Sequence, residues 1–153
     1  MGDRKVMRYF PSPEPPSREQ IERLIRFQLK HWEQHNYGWW AVCLSRPQGS
    51  GPLIGWAGLQ YLPETDEIEV GYLLGKGYWG RGLATEAARS SVRFGFDDLG
   101  ISTIVGVVHP ENIASQRVLE KAGLAYVERA NYFGMDVYRY LVTASLSSQV
   151  GGM

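Results

Sequence analysis

The sequence predicts a single α/β (α+β) domain in which a mixed, mostly antiparallel central sheet is flanked by helices. Three observations predict it. Three apolar segments, residues 39–44, 53–61 and 67–74, are separated by short turn-forming stretches, which fits an antiparallel meander. A glycine-rich turn at residues 75–82 then opens a helix of small residues. After that helix comes a continuous apolar run, residues 101–108, as expected of a strand buried on both faces and parallel to its predecessor. The chain has 153 residues, enough for one domain with its own core and little more. The domain is expected over residues 1–153, with 1–16 as an extended lead-in and 145–153 as a frayed tail.

The elements follow in order. PSPEPP marks the lead-in as extended. Ser17 and Gln20 form a capping-box pattern, and Ile21, Leu24, Ile25, Gln28, Leu29 and Trp32 keep helical spacing, so a helix is expected near residues 17–34, stopped by Gly38. WWAVCL reads as a strand, RPQGSGP as a turn, residues 53–61 as a second strand, PETD as a turn and residues 67–74 as a third strand. Ala84, Ala88, Val92 and Phe96 recur at four-residue steps, the mark of an amphipathic helix, with Gly100 as its stop. A short helix is expected over residues 112–122, with Gly123 as its stop. Two last strands, residues 125–130 and 136–143, meet at Tyr132, Phe133 and Gly134. No internal repeat is present.

Composition excludes several functions. Lysine plus arginine and aspartate plus glutamate each number 16, and a net charge of zero argues against broad binding to a nucleic-acid backbone. One cysteine, Cys43, allows no disulfide within the chain, which fits a reducing cytoplasm, and its place in an apolar run predicts a small buried strand residue. No apolar run is long enough to span a membrane. His31 and His35 have helical spacing without other ligand-type residues nearby, so no metal site is expected.

The chemistry concentrates in YLLGKGYWGRGLATEAA, residues 72–88. Gly75, Gly77, Gly80 and Gly82 let the backbone turn its N–H groups inward, and the helix after them adds unpaired first-turn N–H groups and the positive end of its dipole. Such a turn suits a phosphate or pyrophosphate. Leu83 and Ala84 follow Gly82 where a P-loop needs Lys and then Ser or Thr, which argues against nucleotide triphosphate hydrolysis. The spacing of Gly75, Gly77 and Gly80 also matches a dinucleotide fingerprint, but the acidic residues at the right distance, Asp97 and Asp98, close a helix pattern instead. A plain tight turn that binds nothing is the remaining reading.

EIEVGYLL, YWGRGLATEAAR and HPENIASQRVLEKAGL, in that order and spacing, resemble the acetyl-coenzyme A-binding half of the GNAT N-acetyltransferases. The likeness is strongest to the branch that acetylates ribosomal-protein N-termini, the RimJ/RimL type, and covers residues 67–124. It implies an acetyl-CoA-dependent acyltransferase that passes the acetyl group directly to a primary amine, either a protein N-terminal α-amino group or a small molecule. It implies that Gly77, Tyr78, Trp79, Gly80, Arg81 and Gly82 hold the cofactor pyrophosphate, that Leu73 and Leu74 offer backbone groups to the pantetheine arm, and that Asn112 contacts the same arm. Glu69 falls where relatives carry a general base, with Glu67 on the same strand face. Many relatives place a thiolate-protonating tyrosine where this chain has Leu119. The resemblance offers Ser115 in its stead, with water, Tyr126 or Tyr132 as the other sources of the proton. Gly77 also departs from the Gln or Arg often found there. His109 is expected to order a strand end. Tyr9, Phe10, Trp32, Tyr37, Trp39 and Trp40 are expected mostly in the core, although an acceptor pocket is the other use for them.

The family places a further strand and helix before a segment like VMRYFPSPEPPSRE, near which this chain begins. The expectation is a bare edge on the WWAVCL strand, and from it a homodimer. Two other functions compete with the transferase: a dinucleotide-binding oxidoreductase, and a catalytically inert coenzyme A-binding module.

Overall fold

A computed structural model of the chain describes residues 7–9 and 14–145. The rest of the expected lead-in, with Phe10, and residues 146–153 of the expected tail lie outside the described residues. The elements run α1 (Arg18–His35), β1 (Trp39–Arg46), β2 (Gly49–Leu62), β3 (Glu67–Leu74), a 3-10 turn (Lys76–Tyr78), α2 (Leu83–Asp97), β4 (Thr103–Val108), α3 (Ile113–Lys121), β5 (Ala125–Tyr132) and β6 (Met135–Thr143). One six-stranded sheet has the order β1-β2-β3-β4-β6-β5. Every pairing is antiparallel except β3 with β4. The fold is the expected mixed sheet, and its one parallel joint follows from the α2 crossover.

One face of the sheet packs on α2 and α3. Leu59, Val70, Ile104 and Val142 from the strands meet Ala88 and Val92 of α2 and Leu119 of α3, all buried. Each fully buried leucine or isoleucine there contributes about 2 kcal/mol of apolar burial.

Polar contacts dock α1 instead. The Ser17 capping box forms: Gln20 N–H donates to Ser17 Oγ at 3.2 Å and Ser17 N–H to the Gln20 side chain at 2.8 Å. The helix stops at Asn36, in the left-handed region at φ +61°, two residues before the expected Gly38. Its buried residues are Gln28 and His31, while Ile25, Phe27 and Leu29 are 51–62% exposed. His31 continues the job of β1. Along that edge of β2 the Leu59 N–H donates to Gly38 O at 3.2 Å, and the Tyr61 N–H donates to His31 Nε2 at 3.0 Å. An accepting Nε2 leaves the proton on Nδ1, which donates to Tyr37 O at 2.8 Å. Burial holds this neutral imidazole below its ordinary pKa. His31 is thereby a structural group, and no cluster of three or more metal-type ligands exists among the described residues.

Two local expectations change. The turn expected over residues 46–52 shrinks to Pro47 and Gln48, because β2 begins at Gly49. Cys43 is exposed rather than buried. It sits on β1, one of the two outer strands among the described residues, and the pairing with β2 shifts register on both sides of it, at Val42/Cys43 and Cys43/Ser45.

Candidate active site

The parallel neighbours β3 and β4 share one register pair, Glu69 with Val105. Past that pair, residues 70–74 of β3 and Val107 and Val108 of β4 line a common cleft of about 1150 Å³. The first turns of α2 and α3 complete its walls, through Gly82 to Thr85 and Asn112 to Ser115. A single strand, β3, therefore carries Glu69 at one end of the cleft and leads into the glycine turn at the other.

The turn is built on two backbone positions. Gly80 has φ +73° and Gly82 has φ +75°, a region where side chains are strained. A Cβ on either would meet nothing within 4 Å, so the space above the turn is open. Gly82 is the N-cap of α2 and brings no side-chain cap, so the first N–H groups of the helix are left for a ligand. The Trp79 indole N–H donates to Leu74 O at 2.9 Å and folds the turn back on β3, so this carbonyl, expected to serve the pantetheine arm, already has a donor. Leu73, Leu74, Tyr78, Trp79, Gly80, Gly82, Asn112 and Ser115 all line the cleft. Gly77 and Arg81 stand outside the lining, and the Arg81 guanidinium lies 5.8 Å from the Tyr78 ring centroid. Open glycine positions, free helix N–H groups and a positive dipole end together fit a pyrophosphate.

Glu67 and Glu69 share a strand face, as alternation requires, but have separate surroundings. Arg139 donates to Glu67 at 2.6 Å, and the Tyr132 hydroxyl donates to the same carboxylate. Burial alone would raise the Glu67 carboxyl. The hydrogen bonds from Tyr132 and Arg139 outweigh it and hold the group below its usual range. Glu69 lines the cleft and faces no such cation. Its enclosure, and then the charge of Glu67, push its carboxyl up to about 8. A carboxyl poised there can take a proton from an ammonium near neutral pH.

Opposite Glu69, on the helix-facing side of β3, Tyr72 meets α3. Its hydroxyl lies 2.7 Å from Ser115 Oγ and donates to Ser115 O at 3.1 Å. Burial raises the Tyr72 phenol well above its ordinary value and keeps it protonated. Tyr72 is a site residue that the sequence reading passed over, since a contact across 43 positions leaves no local signal. Asn112 accepts from the Ser115 N–H at 3.2 Å as the N-cap of α3. Leu119 is buried in the core, Tyr132 is committed to Glu67, and Tyr126 is half exposed beside Tyr138 and Tyr140, outside the cleft lining. His109 accepts the Glu111 N–H at 3.1 Å and packs on Tyr9 with ring centroids 4.9 Å apart, ordering the strand end. Of the aromatics expected mostly in the core, Tyr37 is there, Trp32 donates to Trp39 O, and Trp40 packs on Phe94 of α2. Tyr9 and Trp39 line the cleft instead, and Trp56, which no motif marked, joins them.

Residues 1–125 match the family model described as the acetyltransferase (GNAT) domain. An uncharacterized protein of Bacillus subtilis, YkkB, is 32% identical over 100 residues, covering 63% of this chain and 58% of that one. The FsC-acetyl coenzyme A-N(2)-transacetylase of Aspergillus fumigatus is 35% identical over 86 residues, 51% of this chain and 37% of that one. The chain spans about half the length of the curated relatives it matches. Its fold is similar to that of the spermidine N-acetyltransferase of Vibrio cholerae solved with CoA and spermine, with a TM-score of 0.74 at 21% identity over 95% of this chain and 86% of that one.

A side chain at Gly82 tests the cradle. Gly82→Ala is expected to cost about 1–2 kcal/mol of stability from its left-handed backbone and to weaken binding of acetyl-CoA at least tenfold. Calorimetric titration of the folded variant checks it, and unchanged affinity would remove the turn from the binding site.

Proposed function

This chain belongs to the GNAT acetyltransferase family, and from that premise we propose that it moves an acetyl group from acetyl-CoA directly to a primary amine. The observation that carries the reading is the placement, at the two ends of one cleft, of the partly buried carboxyl of Glu69 and an open glycine cradle at residues 80–82. The cosubstrate supplies an activated acetyl group. The residues proposed to hold it are Leu73, Leu74, Gly77, Tyr78, Trp79, Gly80, Arg81, Gly82 and Asn112. Glu69 accepts the proton that the amine nitrogen loses as its bond to the acetyl carbon forms and the carbon–sulfur bond breaks. Ser115 Oγ, with Tyr72 behind it, donates a proton to the leaving sulfur. No covalent enzyme intermediate and no metal enter this scheme.

The acceptor is a protein N-terminal α-amino group, as in the RimJ/RimL branch whose motifs the chain resembles, or a small-molecule amine. The fungal relative's name supports acetyl transfer from coenzyme A. Family membership weighs against a dinucleotide oxidoreductase, and the raised carboxyl of Glu69 weighs against an inert coenzyme A module. A cytoplasmic setting is proposed from the single cysteine. No helix of the described residues is long and apolar enough to cross a membrane.

We also propose a homodimer through α1 and β1. Ile25 and Leu29 stand one turn apart on α1 and, with Trp40 of β1, leave apolar surface exposed. Light scattering at high micromolar concentration is expected to give twice the chain mass, and a clean monomer would overturn it.

Glu69→Gln is the decisive variant for the chemistry. Turnover is expected to fall roughly a hundredfold with acetyl-CoA affinity unchanged. In the parent protein kcat/KM should rise with pH through about 8, as the Glu69 carboxyl loses its proton. The stability sign is opposite. A raised carboxyl favours the fold below its unfolded pKa, and that contribution is lost as pH rises through about 8, so the glutamine variant should be no less stable at alkaline pH. Full rate at every pH would make Glu69 a bystander.

A further inference from the structure

The wall of the cleft beside Glu69 is aromatic. Strand pairing sets Trp39 opposite Gly58, Gly58 opposite Gly71 and Trp56 opposite Leu73, so both indoles share a sheet face with Glu69. Gly58 and Gly71 leave that strip of sheet bare. The two rings lie over it stacked, with centroids 3.7 Å apart and planes 9° apart. A Cβ at Gly71 would come within 3.3 Å of the Trp56 ring. Gln60, the strand partner of Glu69, ends the strip. Its side-chain oxygen accepts from Gln28 at 3.1 Å.

Both indole N–H groups are buried and have no hydrogen-bond partner among the described residues. A buried donor without an acceptor is a net cost to the fold. These N–H groups are covered by the wall itself, so what the two rings offer a ligand in the cleft is apolar ring surface.

Charge narrows the ligand further. Glu69 is the one carboxylate on this wall among the described residues, since Glu67 is engaged by Arg139 and lies outside the lining. The other lining carboxylate, Glu111, stands beside Asn112 across the cleft, where Arg117 and Lys121 also contribute. A polycation would find one acidic partner at this wall, with Arg117 and Lys121 across the cleft. A single ammonium has Glu69, and an apolar ring has the tryptophan stack.

We infer that the acetyl acceptor is a small arylalkyl monoamine, the ring lying against the Trp39–Trp56 shelf and the amine directed at Glu69. This rests on the transferase reading, and departs from the polyamine named for the Vibrio cholerae structure.

Tyramine, spermidine and a tripeptide with a free N-terminus separate the acceptor classes. Two readouts apply: the indole N–H resonances of the protein without acetyl-CoA, and thiol release with it. Tyramine is expected to shift the resonances of Trp39 and Trp56, identified with Trp39→Phe and Trp56→Phe, and to have a kcat/KM at least tenfold above that of spermidine or the tripeptide. Trp56→Ala should raise the KM for tyramine at least tenfold while kcat and acetyl-CoA affinity stay within threefold. Should that variant fail to fold, Trp56→Phe is expected to raise KM two- to fivefold in the same direction. Spermidine or the tripeptide matching tyramine, or tyramine leaving both resonances in place, would overturn the inference while leaving the transferase reading intact. Shifted resonances with no thiol release from any amine would sustain the shelf and sink the transferase reading.

Discussion

The structure depends on one limited contact, the parallel pairing of β3 and β4 at Glu69 and Val105. A parallel pair extended along both strands would close the sheet and leave no cleft. A pair that never formed would split the sheet between its two antiparallel halves. Contact at one level followed by separation leaves the β4-facing edge of β3 without a strand partner and opens a space bounded by the N-termini of two helices. Unpaired strand edges and helix N-termini are the two places where a folded chain keeps backbone N–H groups available to a ligand. Here both converge on one cavity.

The electrostatics are arranged around the same strand. Glu67 and Glu69 are two residues apart on one face and would both ionise readily in water. Arg139 and Tyr132 take up the first charge, and nothing comparable takes up the second. The ion pair on Glu67 joins the β5–β6 hairpin to β3, while its residual negative charge helps keep Glu69 protonated into the neutral range. Structural anchoring and the raised carboxyl of Glu69 are thus consequences of the same side chain.

Much of this was legible in the sequence because it is local. The capping box at Ser17, the left-handed glycines before α2, Asn112 as an N-cap and the alternation that pairs Glu67 with Glu69 are all set by neighbours within a turn or two. What was not legible depends on distant partners. The contact between Tyr72 and Ser115 crosses the cleft, and the stacking of Trp39 on Trp56 needs the β1–β2 register together with the bare strip at Gly58 and Gly71. On α1 the expected inner face holds at Ile21, Leu24, Gln28 and Trp32, while Ile25 and Leu29 are exposed and His31 is buried, because the edge of β2 presents an N–H that His31 accepts. Cys43 was misjudged for a related reason, since apolar neighbours in sequence do not cover a residue on an outer strand at a register shift.

The central claim is that β3, the glycine turn and the start of α3 form one binding surface for coenzyme A. Amide hydrogen exchange with and without coenzyme A tests it most directly. Protection should appear at residues 72–74, 78–85 and 112–115 and nowhere else of comparable size. Coenzyme A binding with unchanged exchange across those three segments, or protection centred on another part of the sheet, would contradict it.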